Sequence, residues 1–145
     1  MLLTQISLNS SIADERCDEG WRFYGESCYY REDKKKALKS WEKAQEICES
    51  KQANLVTVND ADEQKFLGQI LGKKGSWCGL SNKDNKNDFE WVSGEESEYT
   101  YWAPKQPNIS TKKRCVHMLW RPHKHKWVMQ KCAKRRRFTC EKRRL

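Results

Sequence analysis

The chain lacks closely spaced cysteines. Its seven, Cys17, Cys28, Cys48, Cys78, Cys115, Cys132 and Cys140, are never nearer than eight positions apart. Zinc ribbons and fingers are built on pairs such as CxxC, so this spacing argues against a structural metal and for a disulfide framework formed in an oxidising compartment. There is no run of roughly 18 apolar residues, which excludes a bilayer-spanning helix within the chain. The opening MLLTQISLNSSIADER has no basic start, and Thr, Gln and Ser interrupt its apolar residues; it does not read as an export signal. Residues 1–16 are therefore expected to be a flexible leader, with any signal or anchor lying outside this chain. Apolar residues are scarce too, 37% against 34% charged, so burial alone would leave the fold marginal and the cysteines are expected to help hold it. Acidic residues are almost missing from the last third: from Pro104 onward fifteen Lys/Arg face Glu141 alone, while the net charge of the whole is +9.

What is present fits one domain of 145 residues. Asn9-Ser10-Ser11 and Asn108-Ile109-Ser110 match the acceptor pattern for N-glycosylation, in keeping with a secretory route. GWRFYGESCYY (20–30) is aromatic-rich around Gly25 and reads as a short hairpin. Leu38, Trp41, Ala44, Ile47 and Cys48 recur at three- and four-residue steps with Lys and Glu opposite, the pattern of an amphipathic helix. NLVTV (54–58) reads as a strand. Asn59 and Asp60 suit the cap of a second helix, with Asp62 and Glu63 in its first turn, Phe66, Leu67, Ile70 and Leu71 in one stripe, and an end near Gly72 to Gly75. SWCGL (76–80) is strand-like. The next thirty-odd residues, 81–114, are rich in turn formers but carry Phe89, Trp91, Tyr99, Tyr101 and Trp102, which predicts a packed functional loop. CVHMLW, KWVMQKC and RRFTC close the chain as three strands. The expected class is α+β: two helices packed on short antiparallel sheets, with a long ordered loop.

These features resemble, in order, the C-type lectin-like domain. The resemblance runs from Cys17 to about Lys142 and rests on GWRFYGESCYY, the WEKAQEIC helix, ANLVTV before a Glu-containing helix, WCGL where the family usually has WIGL, FEWVSG, Gln106-Pro107-Asn108 in the long loop, and the closing FTCE. It implies a domain over 17–142, with 143–145 as a basic tail. Six cysteines allow fifteen connectivities by spacing alone. Similarity to the long form of the fold implies Cys17 with Cys28, Cys48 with Cys140, and Cys115 with Cys132. Cys78 is left over, standing at the isoleucine of WIGL. Either it is a buried free thiol acting as a small hydrophobe, or it forms a bridge to a second chain; its flanking Trp77 and Leu80 favour burial.

The resemblance also implies where calcium and sugar would bind. Sugar-binding members hold calcium with a Glu-Pro-Asn or Gln-Pro-Asp triplet, an acidic residue soon after it, and an Asn-Asp pair following a strand tryptophan. Here Gln106-Pro107-Asn108 keeps part of the first cluster, with a cis proline expected, but Lys112, Lys113 and Arg114 precede Cys115 where acidic ligands are often found. Trp127-Val128-Met129 stands where Trp-Asn-Asp would be. Calcium needs six to eight hard oxygens, and neither Val128 nor Met129 supplies one. No calcium cofactor and no calcium-dependent sugar binding by the usual route are expected, and a glycan on Asn108 would cover that position.

Three basic runs suggest another ligand: Lys112, Lys113, Arg114; then Arg121, His123, Lys124, His125, Lys126; then Lys134 to Arg137, followed by Arg143 and Arg144. Any one run reads equally well as a solvated face. The first two are expected to converge near the long loop, making a positive field for an anionic glycan or an acidic cell-surface protein. The alternative is a receptor ectodomain recognising a protein through the same face, anchored by Tyr99, Tyr101, Trp102 or Trp120, although those rings also suit packing of the loop. Nucleic acid is a poor fit for a disulfide-framed extracellular domain. His117, His123 and His125 have no nucleophile motif beside them, so an enzyme is not expected. The whole reads as a secreted protein or the ectodomain of a membrane protein, with oligomers open.

Overall fold

Two capping side chains set where the helices begin. The computed structural model describes residues 16–32, 34, 37–109 and 112–143. Ser40 accepts the amide of Lys43 at 3.2 Å and opens α1 (Trp41–Ser50), which turns Trp41, Ala44 and Cys48 inward. Asp60 accepts the amide of Glu63 at 2.8 Å and opens α2 (Ala61–Leu71); Glu63 reaches back to the amide of Asn59 at 2.7 Å, so two otherwise orphaned donors are satisfied. Gly72 closes α2 with a φ of 62°, a region that side-chain-bearing residues avoid. Both ends of α2 lie within the range expected from the sequence, whereas Leu38, expected in the stripe of the first helix, lies before its Ser40 cap.

The strands are β1 (Arg22–Tyr24), β2 (Ser27–Glu32), β3 (Asn54–Leu55), β4 (Ser76–Ser81), β5 (Glu90–Trp91), β6 (Cys115–Leu119), β7 (Lys126–Gln130) and β8 (Phe138–Arg143). They form one hydrogen-bonded sheet in the order β1-β2-β8-β4-β6-β7, with β3 on β8 and β5 on β4. The separate short sheets expected are joined because β4 and β8 meet in parallel at Trp77 and Phe138. Trp77 is fully buried there, and its indole N–H donates to the Lys39 carbonyl at 2.8 Å.

Two other expectations are revised. The strand over 54–58 pairs only through Asn54 and Leu55, opposite Glu141 and Cys140. Val56 still donates to the Thr139 carbonyl, but the Thr57 amide then turns to the Glu141 carboxylate at 3.1 Å instead of a strand carbonyl. Arg143 is no tail: it ends β8 opposite Ser27, and its guanidinium reaches Glu95 at 2.5 Å and Glu26 at 3.5 Å. The leader over 1–16, with its sequon at Asn9, lies outside the described residues apart from Arg16, whose guanidinium sits over the Phe23 ring.

Three disulfides join Cys17 to Cys28, Cys48 to Cys140 and Cys115 to Cys132, as the resemblance implies. The second ties α1 to β8 across 92 residues, a closure that the chain-entropy account values at roughly 4 to 5 kcal/mol. That contribution offsets a thin core made of two clusters, one around Trp127 and α2, the other around Trp77 and α1.

Two carboxylates are buried where β2, β8 and α2 meet. Tyr29 donates to Glu63 at 2.5 Å, and Ser27 donates to Glu141 at 2.7 Å. Burial raises the pKa of both acids, Glu141 to about 7. The folded chain therefore keeps the Glu141 proton up to about pH 7, whereas the unfolded chain releases it near 4.5. The stability conferred by protonation is fully present below pH 4.5 and is lost as pH rises through 7. Glu141→Gln keeps an acceptor for Thr57 and removes the titration. Thermal melts should show the variant close to the parent at pH 5 and more stable than it at pH 8.

Candidate functional site

The second half of the long loop returns along the free edge of β7. Trp127 donates from its backbone to the Tyr101 carbonyl at 2.8 Å and accepts from Ala103 at 2.9 Å, so the loop acts as a further strand over an edge that would otherwise stand open. The Trp127 ring is fully buried among Trp91, Tyr99 and Trp102, with centroids 5.6 to 5.8 Å away, and its N–H donates to Gln64 of α2 at 2.9 Å. The loop is thus packed, as its aromatic content suggests.

Beyond Ala103 the loop carries Gln106, Pro107 and Asn108, joined at Gln106-Pro107 by a cis peptide bond. Gln106 Oε1 accepts from the Met129 amide at 3.1 Å and from the Asn108 amide at 3.2 Å. Val128 and Met129 are buried on β7 beside it, 7% and 2% exposed. The residues here do not fit a calcium ion: one amide oxygen is already taken by two N–H donors, and the two strand positions offer a hydrocarbon and a thioether.

The basic residues form two patches and not one. Lys112 and Lys113 are exposed just before β6, and Arg114 is half-buried, with its guanidinium donating to the Asn82 carbonyl at 3.3 Å. Arg121 and Lys124 lie in the turn after β6, and Lys126 opens β7. Cys115 opposes Gln130 and Leu119 opposes Lys126, so the two runs flank opposite ends of the β6–β7 hairpin. Four residue steps, roughly 13 Å of strand, separate them. The expected convergence fails because the loop lies beside β7 while the runs sit beyond the two ends of β6. The Cys115–Cys132 bridge keeps exposed Lys131 and Lys134 at the first end.

Two residues of the later runs turn inward. His125 is 6% exposed: its Nε2 lies 3.0 Å from the Lys74 carbonyl, and its ring faces Gly68 of α2, where an added Cβ would come within 3.3 Å of Nδ1. Burial lowers its pKa, so it fixes the turn to α2 and contributes no surface charge near neutral pH. Arg136 is half-buried, and its charge adds to burial in holding His117 down to about 3. Neither histidine is placed as a general base.

Comparison with known proteins decides the family. The model of the Lectin C-type domain matches residues 37–142. The chain belongs to the C-type lectin domain family. It is 33% identical over 118 residues to the human low affinity immunoglobulin epsilon Fc receptor, covering 81% of this chain but 36% of the receptor. The solved cow C-type carbohydrate-recognition domain of CD23 superposes with a TM-score of 0.79 at 29% identity, over 88% of this chain and 95% of that one. A calcium-independent type II antifreeze protein gives 0.82 at 25% identity, over 89% and 95%.

Within this C-type lectin domain the charge is divided more sharply than composition suggests. The first half of the long loop supplies Glu90, Glu95, Glu96 and Glu98 to a groove of about 500 Å³ floored by Phe89, Trp91 and Trp102. The long-loop face is therefore acidic at one side, contrary to the uniform basic face expected. Lys65 and Lys73 of the α2 region join the second basic patch, and local sequence placed neither there. Their signal was only that they lie opposite the Leu67, Ile70 and Leu71 stripe, which marks them as exposed without saying what packs nearby. Among the described residues no helix is long and apolar enough to cross a membrane.

Cys78 is the free thiol of β4, fully buried, with its sulfur 3.7 Å from the Val116 carbonyl and its pKa pushed by burial up to about 12. It takes the hydrophobic role of the isoleucine it replaces. A thiol reagent should leave the native protein unmodified and titrate Cys78 once denaturant is added; rapid native reaction would contradict this burial.

Proposed function

We propose that this C-type lectin domain is a non-catalytic extracellular recognition module that binds an anionic ligand, a sulfated glycan or an acidic surface, without calcium. The observation that carries the reading is the replacement at the family's metal position. Gln106 Oε1 is committed to two backbone amides, and Val128 and Met129 stand where hard oxygens would be needed. The calcium-independent antifreeze relative supports it by showing that members of this fold need not depend on the metal. Positive charge at both ends of the β6–β7 hairpin supplies the attraction, and three disulfides suit an extracellular setting.

A second reading has its own observation. The acidic groove with Phe89 and Trp102 on its floor suits a basic protein segment, and the human relative is named as a receptor for an immunoglobulin. The domain would then be a receptor ectodomain engaging a protein through its long loop.

Elution from heparin against sodium chloride separates the two. The parent should elute well above physiological salt, and calcium should change neither elution nor melting temperature. Replacing Lys112, Lys113 and Arg114 by Ala, or Arg121, Lys124 and Lys126 by Ala, should each lower the eluting salt. Flow-through of the parent at physiological salt would remove the polyanion reading. A rise in melting temperature with calcium would restore a metal site.

A further inference from the structure

We infer that the groove between α2 and the β6–β7 turn is a saccharide-binding site, built to stack one or two sugar rings while lysines hold their sulfate groups. The inference rests on the polyanion reading and names the part of the surface that reads the ligand.

The groove measures about 670 Å³, the size of sites that take small ligands. Three elements wall it. Lys65 and Gln69 are four residues apart on α2 and so share one face, and Lys73, just past the Gly72 cap, lines the same groove. Tyr99 and Tyr101 stack on each other at 6.4 Å and form the second wall. Trp120 and Lys124 of the hairpin turn form the third. The turn is held in place at several points: Lys124 donates to the Trp120 carbonyl, His125 donates to that of Leu119, and the buried His125 ring contacts both Lys74 and Trp120. Gly68 leaves room for that ring, so the groove is fixed before any ligand arrives.

Charge selects the occupant. Three other grooves carry carboxylates: Glu95 and Glu98 in the long loop, Glu42 and Glu46 beside α1, and Asp60 and Glu63 beside β2. The α2 groove is lined by no acid and by three exposed lysines, none of which is ion-paired among the described residues, and Lys126 lies 5.8 Å from the Tyr101 ring at its margin. Aromatic faces beside unpaired cations fit a sugar whose C–H bonds stack on the rings and whose sulfates meet lysine point charges. The indole N–H of Trp120 is buried without a partner among the described residues, a cost that a ligand oxygen reached by a small ring rotation would remove.

The test is calorimetric titration of a sized heparin hexasaccharide into three proteins at one salt concentration. These are the parent, Lys65→Ala/Lys73→Ala/Lys124→Ala, and Lys112→Ala/Lys113→Ala/Arg114→Ala, each checked for an unchanged melting temperature. The groove variant should bind about tenfold more weakly, the combined effect of losing three exposed ion pairs, and the other variant, whose charges lie at the far end of the hairpin and reach a short oligosaccharide only through the general positive field, should lose clearly less. In the parent the Trp120 indole proton, assigned with Trp120→Phe, should shift on titration. If the parent binds but the groove variant matches it, or both variants weaken alike, the groove is overturned while the polyanion reading stands. An unmoved Trp120 signal, or equal competition by polyglutamate of matched charge, overturns the saccharide as occupant. If the parent does not bind the hexasaccharide, both readings fall.

Discussion

The burial of Trp127 is the constraint on which the upper half of the molecule depends. Its backbone pairs with the returning loop, its ring collects Trp91, Tyr99 and Trp102, and its N–H is answered by Gln64 on α2. One residue thus joins the edge strand, the long loop and the second helix. A loop of more than thirty residues would otherwise lose much entropy for little contact; here each aromatic residue in it finds an inward partner. The same packing decides which surfaces remain for ligands, because most of the rings that could have served as exposed anchors are spent on holding the loop.

The arrangement around Gln106 follows from that packing. The cis Gln106-Pro107 segment is positioned by two amide donors converging on one side-chain oxygen, so a hydrogen bond to β7 does locally what a cation could do by bridging loop and strand. Val128 and Met129 then pack as apolar residues in a strand that needs no charge compensation. The cationic residues are displaced to the hairpin's two ends, where their charges stay solvated.

Much of this was legible from local patterns. Asp60 caps a helix because its side chain can accept from the amide three residues on, and the stripes of Trp41, Ala44 and Cys48 and of Leu67, Ile70 and Leu71 report their buried faces directly; the Ser40 cap goes unread, and Leu38 falls before it. The three disulfides came from similarity and not from spacing, since spacing leaves the pairing open. The charge pattern misleads for a physical reason: the fold does lay the long loop beside the closing strands, but a five-residue strand divides Arg114 from Arg121 and holds the two runs apart. His125 was hidden among lysines, and only the approach of Gly68 from another element explains why it turns inward. The α2 groove needs helix, loop and turn together, so no single segment announces it.

The placement of the disulfides also decides how the domain carries a pull. Tension applied at the two ends of the described chain passes from Cys17 directly to Cys28, along the segment to Cys48, and across to Cys140. Everything between Cys48 and Cys140 is shunted out of that path by a covalent bridge, including α2, the long loop and the β6–β7 hairpin. Only the stretch from Cys28 through β2 and α1 to Cys48, and the few residues of β8 beyond Cys140, can peel apart. A surface-tethered domain of this design would hold its binding grooves mechanically idle, keeping their shape while its attachment is stretched.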